Sequence, residues 1–298
     1  MEPDSICVLL STYNGEKYLE QQVDSILNQL AVNVSIYIRD DGSIDKTTNI
    51  LKKYSDDTRI QYAVGANIGY AKSFLWLVAN APKADYYAFA DQDDVWNENK
   101  LYNAIRALKN TNAELYASAL DIVDADLSFI RRKNFDGMPV TLGSNLCRNR
   151  LAGCTMVFSK DIQKAIRQNG MMSTIFSHDQ WVFLTAAALN KSIYVDQNSY
   201  IQYRRHATTV TVASTTLRRR ICMEIRTIHM HVGSNAAKSL LDAYKEILSE
   251  ESYEFISKIM TYKESIGNTI KLVFDKRLDC GIAIANIETR IAILLHTF

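Results

Sequence analysis

Short apolar, β-rich runs alternate with helical stretches through the first 200 residues, and this alternation restricts the chain to a layered α/β fold. Ile6 to Leu10 (ICVLL) reads as a buried strand, and Glu16 to Gln29 then sets Leu19, Val23, Ile26, Leu27 and Leu30 at helical spacing. Val34 to Ile38 is a second strand ending in the turn Arg39-Asp40-Asp41-Gly42-Ser43, and Asp45 suits the cap of a helix over Lys46 to Tyr54. Strands follow at Ile60 to Val64, Tyr86 to Ala90 and Ser199 to Gln202, with helices over Ala71 to Asn80, Asn99 to Lys109 and Val182 to Leu189. Repeated strand-helix units predict a mostly parallel sheet flanked by helices. Residues 216–298 carry mixed charges at helical spacing (LLDAYKEIL, SYEFISKIM, NIETRIAILL) and almost no strand signal. A domain over 1–215 and a helical module over 216–298 are therefore expected, with a soft boundary in the Thr/Ser-rich stretch Thr208 to Thr216.

Composition narrows the function classes. The chain has 298 residues, 47% hydrophobic and 22% charged, with a net charge of +1, which gives no reason to expect nucleic acid as a partner. The five cysteines (Cys7, Cys147, Cys154, Cys222, Cys280) show no CxxC spacing and read as reduced thiols of a cytoplasmic protein. The N-terminal MEPDSICVLL has acidic residues where a signal peptide needs basic ones, so it is expected to be a first strand. No stretch reaches the roughly 18 apolar residues of a spanning helix; Ile282 to Leu295 is broken by Asn286, Glu288, Thr289 and Arg290.

In parallel sheets ligands bind beyond the carboxyl ends of the strands, and polar turns recur there: Ser11 to Asn14, Asp40 to Ser43, Gly65 to Gly69, and Asp91-Gln92-Asp93-Asp94. The last crowds three carboxylates behind an apolar strand, and such crowding calls for a cation. A divalent site of oxygen ligands accounts for Asp91; Asp93 or Asp94 also suits the cap of the next helix. Asp179 in Ser177-His178-Asp179-Gln180-Trp181 fits either a cap or a general base with a tuned pKa. The basic Arg204-Arg205 pair before His206 suits phosphate.

Taken in order, STYNG, RDDGSIDKT, NIGYAKSF, FADQDDVW, AGCTMVFS, SHDQW and YRRH resemble the family-2 inverting glycosyltransferases, in particular the bacterial polysaccharide branch of rhamnosyltransferases. The likeness spans about residues 5–210. It implies a GT-A fold, Rossmann-like with a mixed, mostly parallel sheet; a nucleotide-sugar donor linked to dTDP or UDP; and Mg²⁺ or Mn²⁺. Carried over by position, Thr12, Tyr13, Asn14, Asp40, Asp41, Asn67, Gly69, Lys72, Asp91 and Gln92 would bind the nucleotide sugar. Asp93 and His206 would hold the metal, with Asp91 nearer the ribose and Asp94 capping the next helix. Asp179 would be the catalytic base; Gly153, Cys154, His178 and Trp181 would lie on the acceptor side; Arg204 or Arg205 would assist the diphosphate. The acceptor implied is a glycan, free or on a polyprenyl diphosphate at the inner face of the cytoplasmic membrane, and the tail would dock on that membrane, pair two copies or close as a lid.

Two departures matter. The family's commoner Glu-Asp pair stands here as His178-Asp179, and the Gln-x-x-Arg-Trp motif of processive synthases is absent from Gln202 to His206. Other classes compete: a phosphohydrolase fits Asp91-Gln-Asp-Asp-Val loosely, a pyrophosphorylase lacks its glycine-rich N-terminal loop, and neither accounts for RDDGS or SHDQW. A non-catalytic carbohydrate-binding or assembly subunit is countered by the joint presence of Asp91, Asp93, Asp179 and His206.

Overall fold

The computed structural model describes residues 3–169, 177–206 and 232–298. The elements run β1 (Ser5–Thr12), α1 (Leu19–Leu27), β2 (Asn33–Asp40), α2 (Thr47–Lys53), β3 (Ile60–Val64), α3 (Tyr70–Asn80), β4 (Tyr86–Ala90), β5 (Val95–Trp96), α4 (Lys100–Thr111), β6 (Leu115–Val123) and β7 (Phe129–Lys133). They continue α5 (Leu142–Cys147), β8 (Val157–Ser159), α6 (Lys160–Asn169), α7 (His178–Ala188), β9 (Ile193–Arg204), α8 (Val232–Tyr244), α9 (Glu250–Thr261), α10 (Ile266–Val273) and α11 (Ala283–Leu294).

The strands form one sheet in the order β3-β2-β1-β4-β8-β6-β9-β5, with β7 beside β6. β3, β2, β1 and β4 are parallel; β8 pairs antiparallel with β4 and with β6, and β6 pairs parallel with β9. The parallel half is what the alternating pattern predicts. Ile6 to Leu10 is buried on both faces, as a strand covered by helices on each side requires. Register sets Thr12 opposite Asp40, Asp40 opposite Val64, and Leu10 opposite Ala90, so the carboxyl ends of four strands share one edge.

Helices cover both faces. Val23 and Ile26 of α1, Leu51 of α2 and Leu101 and Leu108 of α4 pack on one face of the sheet. On the other, Phe74, Leu75 and Val78 of α3 and Val182 and Phe183 of α7 join Leu240, Tyr244, Phe255, Tyr262, Ile293 and Phe298 of the C-terminal helices in one apolar cluster. Trp181 stacks on Tyr244 with centroids 5.7 Å apart, and Thr185 Oγ1 lies 3.1 Å from Tyr244 Oη. The C-terminal helices thus complete the core under α7. The boundary expected at 215/216, and its Thr/Ser-rich stretch, lie outside the described residues.

The N-cap of α2 is Lys46, and Asp45, expected as the cap, stands one residue before it with its Oδ1 accepting from the Thr47 amide at 3.0 Å. Asp94 does not cap a helix. β5 intervenes, α4 begins only at Lys100, and Asp94 is fully buried with its Oδ1 accepting the Arg204 amide at 3.0 Å. A carboxylate taken for a helix cap is a strut between the β4 loop and the end of β9.

Candidate active site

Four loops meet at the polar edge. Thr12 Oγ1 donates to Gln92 Oε1 at 2.6 Å, the Tyr13 amide to the same oxygen at 2.8 Å, and Gln92 Nε2 to the Tyr13 carbonyl at 3.2 Å. Gln92 therefore latches the β4 loop to the β1 loop. Residue 15 must be glycine beside this latch, because a Cβ there would lie 2.5 Å from Gln92 Oε1 and 2.7 Å from Thr12 Oγ1. The Asn14 amide donates to Ser43 Oγ at 2.8 Å and its side-chain oxygen accepts from the Ile44 amide at 3.0 Å, tying the β1 and β2 loops together. Tyr13 stays exposed on the rim.

At the end of β2, Asp40 is fully buried and its carboxylate accepts from the Ser43 amide and hydroxyl. It holds the turn and offers nothing to a base or ribose, which corrects its assignment to the nucleotide. Asp41 accepts from the Arg39 guanidinium and from the amides of Ile68 and Gly69, each at 2.9 Å. Arg39, whose role is not legible in the sequence, also donates to Ser73 Oγ at 3.2 Å and the Ala66 carbonyl at 3.0 Å. It binds the β3–α3 loop to β2. Asn67, in that loop, and Lys72, on the first turn of α3, are exposed.

The β4 loop carries the acidic edge. His206 Nε2 lies 2.7 Å from Asp93 Oδ2, with the two side chains 14% and 17% exposed. An oxygen and a nitrogen donor converge there in partial contact with solvent, a donor set that suits Mn²⁺ or Mg²⁺. Burial, then the charges of Asp93 and Asp179, push the Asp91 carboxyl up to about 7. A cation at Asp93 would relieve that anionic crowding, so the residues fit a divalent metal. A second trio, Asp91, Asp94 and Cys154, brings its ligand atoms within 4.8 Å of one another. Behind it lies the buried Lys100, its Nζ 3.6 Å over the Trp96 ring and close in charge to Asp94 and Cys154. Burial lowers the Lys100 pKa to about 7, and its Nζ has no hydrogen-bond partner.

Asp179 sits on the first turn of α7, where the Ser177 side chain is the N-cap. Asp179 remains partly exposed; burial and then the Asp179 charge raise the Tyr70 pKa, and the same charge adds to the shift of Asp91. The catalytic-base candidate is thus close in charge to both Asp91 of the acidic edge and the Tyr70 phenol. Lys133, at the end of β7, is also close in charge to Asp179, and its Nζ donates to the Arg150 carbonyl at 2.7 Å. Lys133 carries no motif, and Tyr70, though within NIGYAKSF, had no role assigned; neither was anticipated.

The acceptor-side residues are corrected. Cys154 (1% exposed) lies beneath the acidic edge and Trp181 (3%) lies in the core against Tyr244, so neither lines an open wall. His178 stacks on Phe74 at 3.9 Å and meets Phe89 edge-on at 4.7 Å; burial lowers its pKa to about 4, so the ring is neutral. Gly153 permits that packing, since a Cβ there would lie 2.5 Å from His178 Nε2 and 3.3 Å from Asp179 Cβ. His178 supports α7 from behind. Arg204 is likewise interior at 3% exposure, and each of its guanidinium nitrogens donates to a protein acceptor, which removes it from the diphosphate.

The mixed, mostly parallel sheet with helices on both faces is a fold of the GT-A class. A family profile described as glycosyl transferase family 2 matches residues 7–182, and the chain belongs to that family and is a glycosyltransferase. The dTDP-rhamnosyl transferase RfbG of Shigella flexneri is 32% identical over 217 residues, covering 66% of this chain and 71% of that protein. An uncharacterized glycosyltransferase of Rickettsia typhi is 26% identical over 211 residues, covering 67% of this chain and 64% of the relative. Among solved structures, S. aureus TarS 1-349 in complex with UDP-GlcNAc superposes with a TM-score of 0.60 at 19% identity, covering 91% of this chain and 76% of that one. The mannosyltransferase PcManGT from Pyrobaculum calidifontis, in complex with GDP-Man and Mn²⁺, gives 0.53 at 11% identity, covering 98% and 88%.

Proposed function

We propose that the chain transfers L-rhamnose from dTDP-L-rhamnose, with inversion, to a glycan or lipid-linked glycan in bacterial surface polysaccharide synthesis. The observation that carries this reading is the convergence of Asp91, the Asp93–His206 pair and Asp179 at one sheet edge. The relative named as a dTDP-rhamnosyl transferase supports the donor; TarS, solved with UDP-GlcNAc, keeps a UDP-hexose as the alternative.

In the mechanism the nucleotide lies across Thr12, Tyr13 and the β2 and β3 loops, with Tyr13 offering its ring to the base and Asp91 a carboxylate to the ribose. Asp93 and His206 would hold Mg²⁺ or Mn²⁺, whose charge opposes that of the diphosphate when bound. Arg205, which is only half-buried, replaces Arg204 as the basic residue for the diphosphate. Asp179 takes the proton of an acceptor hydroxyl as its oxygen attacks the anomeric carbon, and the bond from that carbon to the diphosphate oxygen breaks on the opposite face.

No helix among the described residues is long and apolar enough to cross a membrane. α11 nevertheless exposes Ile284, Ile287, Ile291 and Leu294, and Ile266, Ile270 and Phe274 form an exposed row along α10. These rows support association of the tail with a lipid surface at the cytoplasmic membrane face or with a second copy. Mn²⁺ with a panel of dTDP- and UDP-sugars, scored by nucleoside diphosphate release in the presence of lipid-linked acceptors, tests the whole reading. Release from no donor would overturn it.

A further inference from the structure

Asp93 and His206 are 113 residues apart in sequence and come from different loops, yet they meet at 2.7 Å. The contacts joining those loops converge on Arg204, the last residue of β9. Its amide donates to Asp94 Oδ1 at 3.0 Å and its Nε to the Asp93 carbonyl at 2.8 Å. Two attachments on adjacent residues fix both the position and the rotation of the 93–94 peptide relative to the end of β9. Nη1 donates to the Ala125 carbonyl at 2.6 Å, in the β6–β7 turn, and Nη2 to Gln21 Oε1 at 2.6 Å, on α1. The guanidinium also lies 4.4 Å over the Tyr18 ring, whose centroid is 5.0 Å from that of His206. One buried side chain is therefore fastened to the β4 loop, the β6–β7 turn and α1, and shares a ring with His206.

We infer that Arg204 is a positioning residue that assembles the Asp93–His206 pair, and that it acts on a bound divalent cation through those two ligands rather than through the diphosphate. The planar fork matters: five donors in fixed geometry reach three segments at once, and a lysine ammonium cannot reproduce that. Asp94 is the matching strut, since it orients the Arg204 main chain as the side chain orients Asp93. The metal arm of this inference rests on the functional reading above; its structural arm does not.

The test combines crystal structures with Mn²⁺ titrations followed by electron paramagnetic resonance, in the presence of UDP or dTDP, on wild type, Arg204→Lys and Gln21→Leu. In Arg204→Lys the His206–Asp93 contact should open beyond hydrogen-bonding distance. Mn²⁺ affinity should fall about 10–100-fold, the usual range for losing a group that orients a metal ligand. Nucleotide binding in EDTA should change less than about threefold. Gln21→Leu removes one anchor and leaves the fold intact if Arg204→Lys does not express; it should weaken Mn²⁺ in the same direction by a smaller factor. The inference is overturned if Arg204→Lys keeps the pair closed and Mn²⁺ affinity at wild-type level. It is also overturned if the variant instead loses metal-free diphosphate binding, or if Gln21→Leu has no effect where the lysine variant fails to fold. Wild-type protein that binds neither nucleotide would sink the functional reading, while the crystal structures would still decide the clamp.

Discussion

Acid should unfold this protein partly through His178, by an amount the structure sets. The ring is buried between Phe74, Phe89 and Gly153, and neither nitrogen has a hydrogen-bond partner. Its pKa falls from 6.5 to about 4 in the folded state. The unfolded chain therefore binds a proton as pH drops below 6.5 while the folded chain does not, so stability falls with pH across that window. At 1.36 kcal/mol per pKa unit, the full loss near pH 4 is about 3 kcal/mol. Asp91 works the other way: its raised pKa costs stability as pH climbs from about 4 through about 7. A comparison with His178→Leu removes that background. Urea unfolding between pH 4 and 7.5 should give a wild-type-minus-variant difference that shifts by about 3 kcal/mol toward the variant as pH falls. A difference independent of pH would refute the account of a neutral buried histidine.

Three further outcomes follow from the geometry. Gly153→Ala must displace His178 and shift Asp179, so sugar transfer should fall at least tenfold with nucleotide affinity within a factor of about three, measured by steady-state kinetics and calorimetry. Gly15→Ala strikes the Gln92 latch instead and should weaken nucleotide binding itself, by about tenfold on the same calorimeter. Ile287→Glu with Ile291→Glu should abolish either co-flotation with anionic vesicles or a dimer in sedimentation while leaving transfer to a soluble acceptor unchanged; no change in either association would show that this face docks on nothing.

The parallel half of the sheet was legible because each strand is a compact apolar run between polar turns; the strands expected at Ile60 to Val64 and Tyr86 to Ala90 match the observed bounds. The other half was legible only at Ser199 to Gln202, which falls inside β9. β6 reads LYASALDIV, a buried run rich in small residues without alternation, and β8 has three residues paired on both sides. At the site, motif spacing located the edge and its titratable groups, but not which way each side chain points. Asp40, Cys154, His178, Trp181 and Arg204 lie in motifs that face the site, yet they turn inward and shape it from behind. Basic side chains that turn inward are the hardest to foresee: Arg39 and Lys100 are buried and Lys133 half-buried, yet all three read as surface residues until their carbonyl, carboxylate and aromatic partners come together in three dimensions.

The central claim is that Asp179 is the base facing a metal-held donor. Asp179→Asn keeps the shape and removes the basicity, so nucleotide-sugar affinity with Mn²⁺ should stay within a factor of about three while nucleoside diphosphate release falls by about 10³-fold. Near wild-type turnover in that variant would contradict the account.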